Sequence, residues 1–396
     1  MRAPRDDHPE RQAEPGRGDE PRPDDWATRV IVRLEPRGEA PRWLSPVLTL
    51  LAVVVALLIG AVVLAFVGGD PVKAYLHIVK AAFGDIGVLS DTLVKATPLI
   101  LTGLACALAF RMRLWNIGAE GQFLHGAWGA SAVVLFPLVP AGTPAIVLIP
   151  VMMIAGSLAG ALWGVIPGVL KARLGVNEII TTLMLNYVAL AWIQFWVFGP
   201  WSEGGFQQTR TFPKEAWLPR LTDFASSVPA FGGLTTHLGL VFALIAAAVL
   251  SVVVSRTRWG YEMRLIGDNA RVARYAGIDI ARYVIVVFAI SGALAGLAGM
   301  SEVGGVVHRL QDRISPGYGF TAIIIAYLAR LGPWRVVLAS ILFGALILAG
   351  REIQPSGVPA MIQGVILFCL IAAEALVRYR VVIGRRGAVT SSVAPP

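Results

Sequence analysis

The chain has 396 residues, is 56% hydrophobic and has a mean hydropathy of +0.68, which excludes an ordinary soluble domain and fits a polytopic membrane protein. Its formal charge of +9 does not argue for nucleic acid, because the arginines punctuate apolar runs instead of forming one basic face. Cys106 and Cys369 lie inside apolar segments and the five histidines are scattered, so neither a disulfide framework nor a metal site is indicated.

Residues 1–43 come first and are not a span. They hold nine arginines, ten acidic residues and seven prolines, too little apolar surface to offset the entropy of ordering. We expect a disordered cytoplasmic tail there, without the pattern of a signal peptide. Ten apolar segments follow, at 46–67, 89–110, 117–139, 144–170, 179–198, 238–254, 284–300, 319–331, 336–349 and 358–377. The segment 319–331 is shorter than the roughly 20 residues of a straight crossing, and it reads as a half-helix or re-entrant piece packed inside protein. The expectation is an all-α, polytopic integral membrane protein with about ten transmembrane helices, some short or broken. One transmembrane domain then covers 44–380 and a second cytoplasmic tail 381–396. The Lys/Arg bias of the loops places both termini in the cytoplasm.

Two connections are long. Residues 199–237 mix Trp201, Phe206, Phe212, Trp217, Phe224 and Phe231 with Gly, Pro and charges. They form an extracellular loop whose aromatics either sit at the membrane interface or dock an external protein. Residues 256–283 carry six arginines, which assigns them to the cytoplasm. Met263, Leu265, Ile266, Val272, Tyr275, Ala276 and Ile278 recur there at roughly helical spacing, which predicts one or two short amphipathic helices. Gly267, Asp268 and Asn269 make a turn or N-cap between them, with Gly277 as a stop.

Polar residues interrupt two of the spans. Asn116, Glu120 and Gln122 cluster with Gly118 and Gly121 at the start of the third. A carboxylate costs about 2.5–3.5 kcal/mol at a helix centre on insertion scales. Two readings follow: Glu120 lines a cavity beside unwound backbone, or it pairs with Arg111 or Arg113 at headgroup level. The fifth span opens on Asn177 and Glu178, and positions 178, 182 and 186 set one polar stripe along a helix. Such Thr and Asn side chains serve either the pathway or helix association. Small residues from Ser291 to Gly299 predict close helix packing.

Three blocks together resemble a known family. Residues 114–122, LWNIGAEGQ, are similar to the F-N-I-G-A-E-G-Q signature of nucleoside ABC importer permeases, relatives of simple-sugar permeases. Residues 175–187, GVNEIITTLMLNY, resemble the block G-x-N-E-V-I-x-T-x-M-L-N-Y. Residues 266–278, IGDNARVARYAGI, resemble the loop G-E-N-P-x-A-A-R-Y-A-G-I, with Asp268 in place of Glu and Ala270 in place of Pro. The resemblance covers roughly 46–380 and implies the transmembrane subunit of a bacterial plasma-membrane importer for nucleosides. It implies a substrate pathway offering Asn116, Glu120, Gln122, Asn177 and Asn186. Gly267, Asp268, Asn269, Arg271, Arg274, Tyr275 and Gly277 would form a coupling helix seated on a cytoplasmic ATP-binding subunit. The implied partners also include a second related permease chain, an extracellular substrate-binding lipoprotein and membrane lipid. ATP and Mg would be bound by the ATPase, with no cofactor in this chain. Independently, none of the five lysines follows a glycine, so a Gly-Lys-Ser/Thr phosphate loop is absent and the chain reads as a transport subunit, not an enzyme. A simple-sugar permease of the same machinery is the alternative, with an ion-coupled secondary transporter behind it.

Overall fold

The computed structural model describes residues 30–36, 41, 43–66, 68–136, 138–140, 142–350 and 358–385. The chain divides into two compact units, Met1–Leu48 with Glu374–Pro396, and Thr49–Ala373. In the first, strand β1 (Val30–Pro36) pairs antiparallel with β2 (Tyr379–Arg385), from Val30 opposite Arg385 to Pro36 opposite Tyr379. Strand β1 thus lies within the stretch expected to be disordered, and β2 reaches into the expected 381–396 tail. The β-branched runs V-I-V and V-V-I favour a ladder although the average composition around them does not. Apart from residues 41 and 43, the remaining tail residues lie outside the described ones.

The apolar runs fold into helices. They are α1 (Leu44–Phe66), α2 (Pro71–Phe83), α3 (Ile86–Arg111), α4 (Ala119–Leu135), α5 (Ala145–Leu174) and α6 (Glu178–Phe198). Then come α7 (Gly239–Arg256), α8 (Arg258–Asp268), α9 (Ala270–Tyr275), α10 (Ile280–Glu302), α11 (Tyr318–Leu328), α12 (Pro333–Ala349) and α13 (Val358–Arg378). Among the described residues seven helices are long and apolar enough to cross a membrane: α1, α3, α5, α6, α7, α10 with its continuation to Val307, and α13. The remaining expected spans are shorter, with 17 residues in α4, 11 in α11 and 17 in α12. At 1.5 Å per residue α11 rises only about 16 Å, half of a hydrocarbon core. Helix α2 was not anticipated. Asp70 caps it by accepting from the amides of Val72 and Lys73, both at 3.1 Å, and Pro71 occupies the first turn.

Helix α3 is buried along nearly its whole length, and α10 packs against it and against α4 and α5. The last three helices meet backbone to backbone. A Cβ on Gly160 of α5 would collide with the carbonyl of Gly292, and one on Gly126 of α4 with the backbone of Gly296. Small residues at these positions let helix axes approach with dispersion contact along the chain itself. This is the close packing that the 291–299 pattern predicts.

Candidate functional site

Helix α3 ends at Arg111, and residues 112–118 turn the chain back into the bundle before α4 begins. Asn116 lies fully buried in that return. Its Nδ2 donates to Gln122 Oε1 at 2.9 Å and to Ser291 Oγ at 2.8 Å, and its Oδ1 accepts from the amide of Gly118 at 3.0 Å. Ser291 passes the chain on to the carbonyl of Ala105 at 2.8 Å. One amide therefore joins the start of α4 to α10 and, through Ser291, to α3.

The stripe expected on α6 is its buried face, where Glu178, Thr182 and Asn186 are followed by Ala189, Ile193 and Val197. Asn186 accepts from the amide of Gly121 at 2.8 Å and donates to the carbonyl of Ile117 at 2.9 Å, so it satisfies backbone groups that the start of α4 leaves open. Glu178 pairs with Lys171 at 2.7 Å. Asn177 does not join the network. It is exposed and caps α6 locally, accepting from the amide of Ile179 at 2.9 Å.

Glu120 is buried, and no cation pairs with it among the described residues. Arg111 instead donates to the carbonyl of Leu331 at 2.5 Å. The Glu120 carboxylate accepts from the amide of Gly319 at 2.7 Å, and Gly319 touches the backbone of Glu120 so closely that a Cβ has no room. Two short helices, α4 and α11, thus meet N-terminus to N-terminus inside the bundle. Each end carries about half a positive charge from its peptide dipoles, and one carboxylate answers both.

A second buried group pairs Glu302, a candidate buried carboxylate in the sequence, with a lysine that the sequence does not mark. Lys95 of α3 lies 3.2 Å from Glu302 at the end of α10 and donates to Tyr318 Oη at 3.3 Å. All three side chains are buried. An ammonium and a carboxylate removed from water need such mutual satisfaction.

The basic island forms two helices, each capped. Thr257 accepts from the amide of Gly260 at 3.2 Å to start α8. Asn269 accepts from the amides of Arg271 and Val272 at 3.0 and 3.2 Å to start α9. Gly267 and Asp268 belong to the last turn of α8 and not to the turn itself, and Gly277 takes the left-handed φ of 77° just past α9. Met263, Ile266 and Ala273 face inward, while Gly267 packs on the backbone of Arg111. Arg271, Arg274 and Tyr275 stand exposed, Tyr275 by 87%. Glu262 receives the hydroxyl of Tyr283 and pairs with Arg258 at 2.6 Å. The Tyr283 bond first, and the Arg258 bond after it, hold the Glu262 carboxyl below its usual range.

Residues 88–373 match the family described as branched-chain amino acid transport system / permease component. The chain belongs to that permease family. Its relatives include the glucose ABC transporter permease protein TsgB13 of Haloferax volcanii, 40% identical over 374 residues, 90% of this chain and 96% of that protein. The guanosine ABC transporter permease protein NupP of Bacillus subtilis is 33% identical over 333 residues, 81% of this chain and 90% of the relative. The nucleoside ABC transporter permease protein NupB of Lactococcus lactis subsp. cremoris is 32% identical over 333 residues, 81% and 88% respectively. This permease therefore carries Asn116, Glu120, Gln122 and Asn186 in one buried assembly, and presents Arg271, Arg274 and Tyr275 on a separate outer surface. The connection 199–237 is tied down on the remaining side. Phe212 donates its amide to the carbonyl of His308 at 2.8 Å, Leu218 does the same to Gly304 at 2.8 Å, and Trp217 stacks on His308 with ring centres 3.8 Å apart.

Proposed function

We propose that the permease forms the translocation pathway of an importer for nucleosides, driven by ATP hydrolysis on a separate cytoplasmic subunit. The observation that carries this reading is the pair of capped helices α8 and α9. They are anchored by Met263, Ile266 and Ala273 and display Arg271, Arg274 and Tyr275 outward, with nothing among the described residues to receive them. Such a surface suits a partner that moves, because a push on α8 reaches α3 directly through Gly267 and Arg111. A second permease chain, a solute-delivering lipoprotein outside a bacterial plasma membrane and cytoplasmic termini complete the proposal. Mg and ATP belong to the hydrolysing partner.

A simple sugar is the second reading, favoured by the 40% identity to a glucose permease. Uptake into proteoliposomes holding the whole complex separates the two. ATP-dependent accumulation of radiolabelled guanosine that excess glucose leaves unchanged supports the nucleoside. Glucose accumulation without guanosine uptake replaces it with the sugar, and accumulation that collapses with a protonophore at constant ATP rejects the importer class.

A further inference from the structure

A cavity of about 300 Å³ lies at the end of α3 remote from α8 and α9. Sixteen residues separate Lys95, in its wall, from Arg111, which touches Gly267 of α8. At 1.5 Å per residue that is about 24 Å. Asp91 and Lys95 contribute one wall from successive turns of α3, Arg220 and Thr235 another from the 199–237 connection, and Gly305 and Val306 a third.

The wall groups are held in place before any solute arrives. Thr235 Oγ1 donates to Asp91 Oδ1 at 2.5 Å, and next to this contact Thr236 is fastened to Ser90 through its amide at 2.8 Å and its hydroxyl at 2.7 Å. Arg220 is fixed by the carbonyl of Gly305 at 2.8 Å and by His308 Nε2 at 2.6 Å. Lys95 spends two of its three donors on Glu302 and Tyr318. Behind Gly305 sits His237, 3% exposed. Its Nδ1 accepts from the amide of Gly239, and its buried Nε2 has no partner among the described residues.

The chemistry of this wall is selective. Asp91 faces Lys95 and Arg220, so charges of both signs line the cavity, and an apolar solute strips water from four polar side chains without replacing its hydrogen bonds. A hydroxyl both donates and accepts, and neighbouring hydroxyls can bridge a carboxylate and a cation at once. The volume stands at the lower end of small-molecule sites and admits a sugar ring.

We propose that this cavity receives the sugar ring of the solute by its vicinal hydroxyls, with Asp91 and Thr235 as the discriminating groups. The assignment rests on the function proposed above, and it gives that function a substrate chemistry common to nucleosides and sugars.

The test is a thermodynamic cycle in proteoliposomes of the intact complex. The ratio of kcat/KM for guanosine over 2′,3′-dideoxyguanosine, and for glucose over 2-deoxyglucose, is measured for the wild type, Asp91→Asn and Thr235→Val. Discrimination by the delivering protein is common to all three and cancels. Asp91→Asn keeps an acceptor for Thr235, and Thr235→Val keeps shape, so one of the two folds even where the other does not. A hydrogen bond to a charged group contributes enough that the ratio for the transported solute should fall about tenfold in Asp91→Asn. An unchanged ratio in both variants, with guanosine or glucose carried by the wild type, overturns the cavity assignment alone. A wild type that carries neither probe overturns the proposed function and this assignment with it.

Discussion

Asn116 makes two donor and two acceptor contacts at the meeting of α3, α4 and α10, and shortening it leaves Gln122, Ser291 and the Gly118 amide short of partners. Each stranded buried group costs about 1–3 kcal/mol. Asn116→Ala should therefore lower the melting temperature of the purified permease by several degrees, whereas an exposed amide would show no change in the same scan. Glu120→Gln keeps an oxygen for the Gly319 amide, and it should insert and melt like the wild type while Glu120→Ala does not; equal melting of both would remove the role assigned to the carboxylate. Much of this was legible, because polar residues flanked by glycines in an apolar run have few other uses. The grouping of Asn177 with Asn186 was not. Both are amides near the start of one helix, and only the turn geometry separates a cap on the outside from a side chain two turns inward. Lys95 and Glu302 are 207 positions apart, so no local pattern joins them.

Among the elements, the glycine contacts of α4, α5 and α10 allow a sharp check. Gly160→Ala places a methyl against the backbone of Gly292 and Gly296, which has no rotamer to yield. Overpacking of this kind costs about 1–3 kcal/mol and sometimes more. We expect a clear fall in yield and melting temperature, and a wild-type melt would show the helices less close than described. The 199–237 connection should respond to acid. Burial, with Arg220 adding to it, pushes His237 down to about 3 and His308 down to about 4. A histidine depressed in the folded state contributes stability that is complete above its unfolded value of about 6.5 and is lost as pH falls from there toward the folded values. Hydrogen exchange across 217–237, corrected for intrinsic rates, should accelerate at about pH 4.5 relative to about pH 7.5, and less so in His308→Gln. Equal protection at both pH values would contradict this. The helical elements followed from hydropathy, and α2 escaped because its apolar face is one-sided and too short to read as a span. The fold of the 199–237 connection escaped because its bonds run to backbone atoms near His308, which sequence does not mark.

For the whole molecule, the separation of a buried polar assembly from an exposed basic surface predicts separable losses. Reversing charge at Arg271 and Arg274 together should leave folding intact, since both side chains are exposed, and should release the hydrolysing subunit on co-purification. Normal co-purification with normal uptake would end the coupling role of α9. Among the described residues the ten expected segments are seven long helices and three short ones, and burial inside protein lets α11 stop halfway where lipid would demand a full crossing. The backbone contact of α4, α5 and α10 carries a mechanical consequence. Helices that interlock through side chains slide by changing rotamers, but these three touch through main-chain atoms that have no second arrangement. They behave as one rigid plate. Any opening and closing of the pathway must then hinge at its margins, where α11 meets the plate through Gly319 on Glu120 and through Tyr318 on Phe123 and Glu302, and α6 reaches it through Asn186.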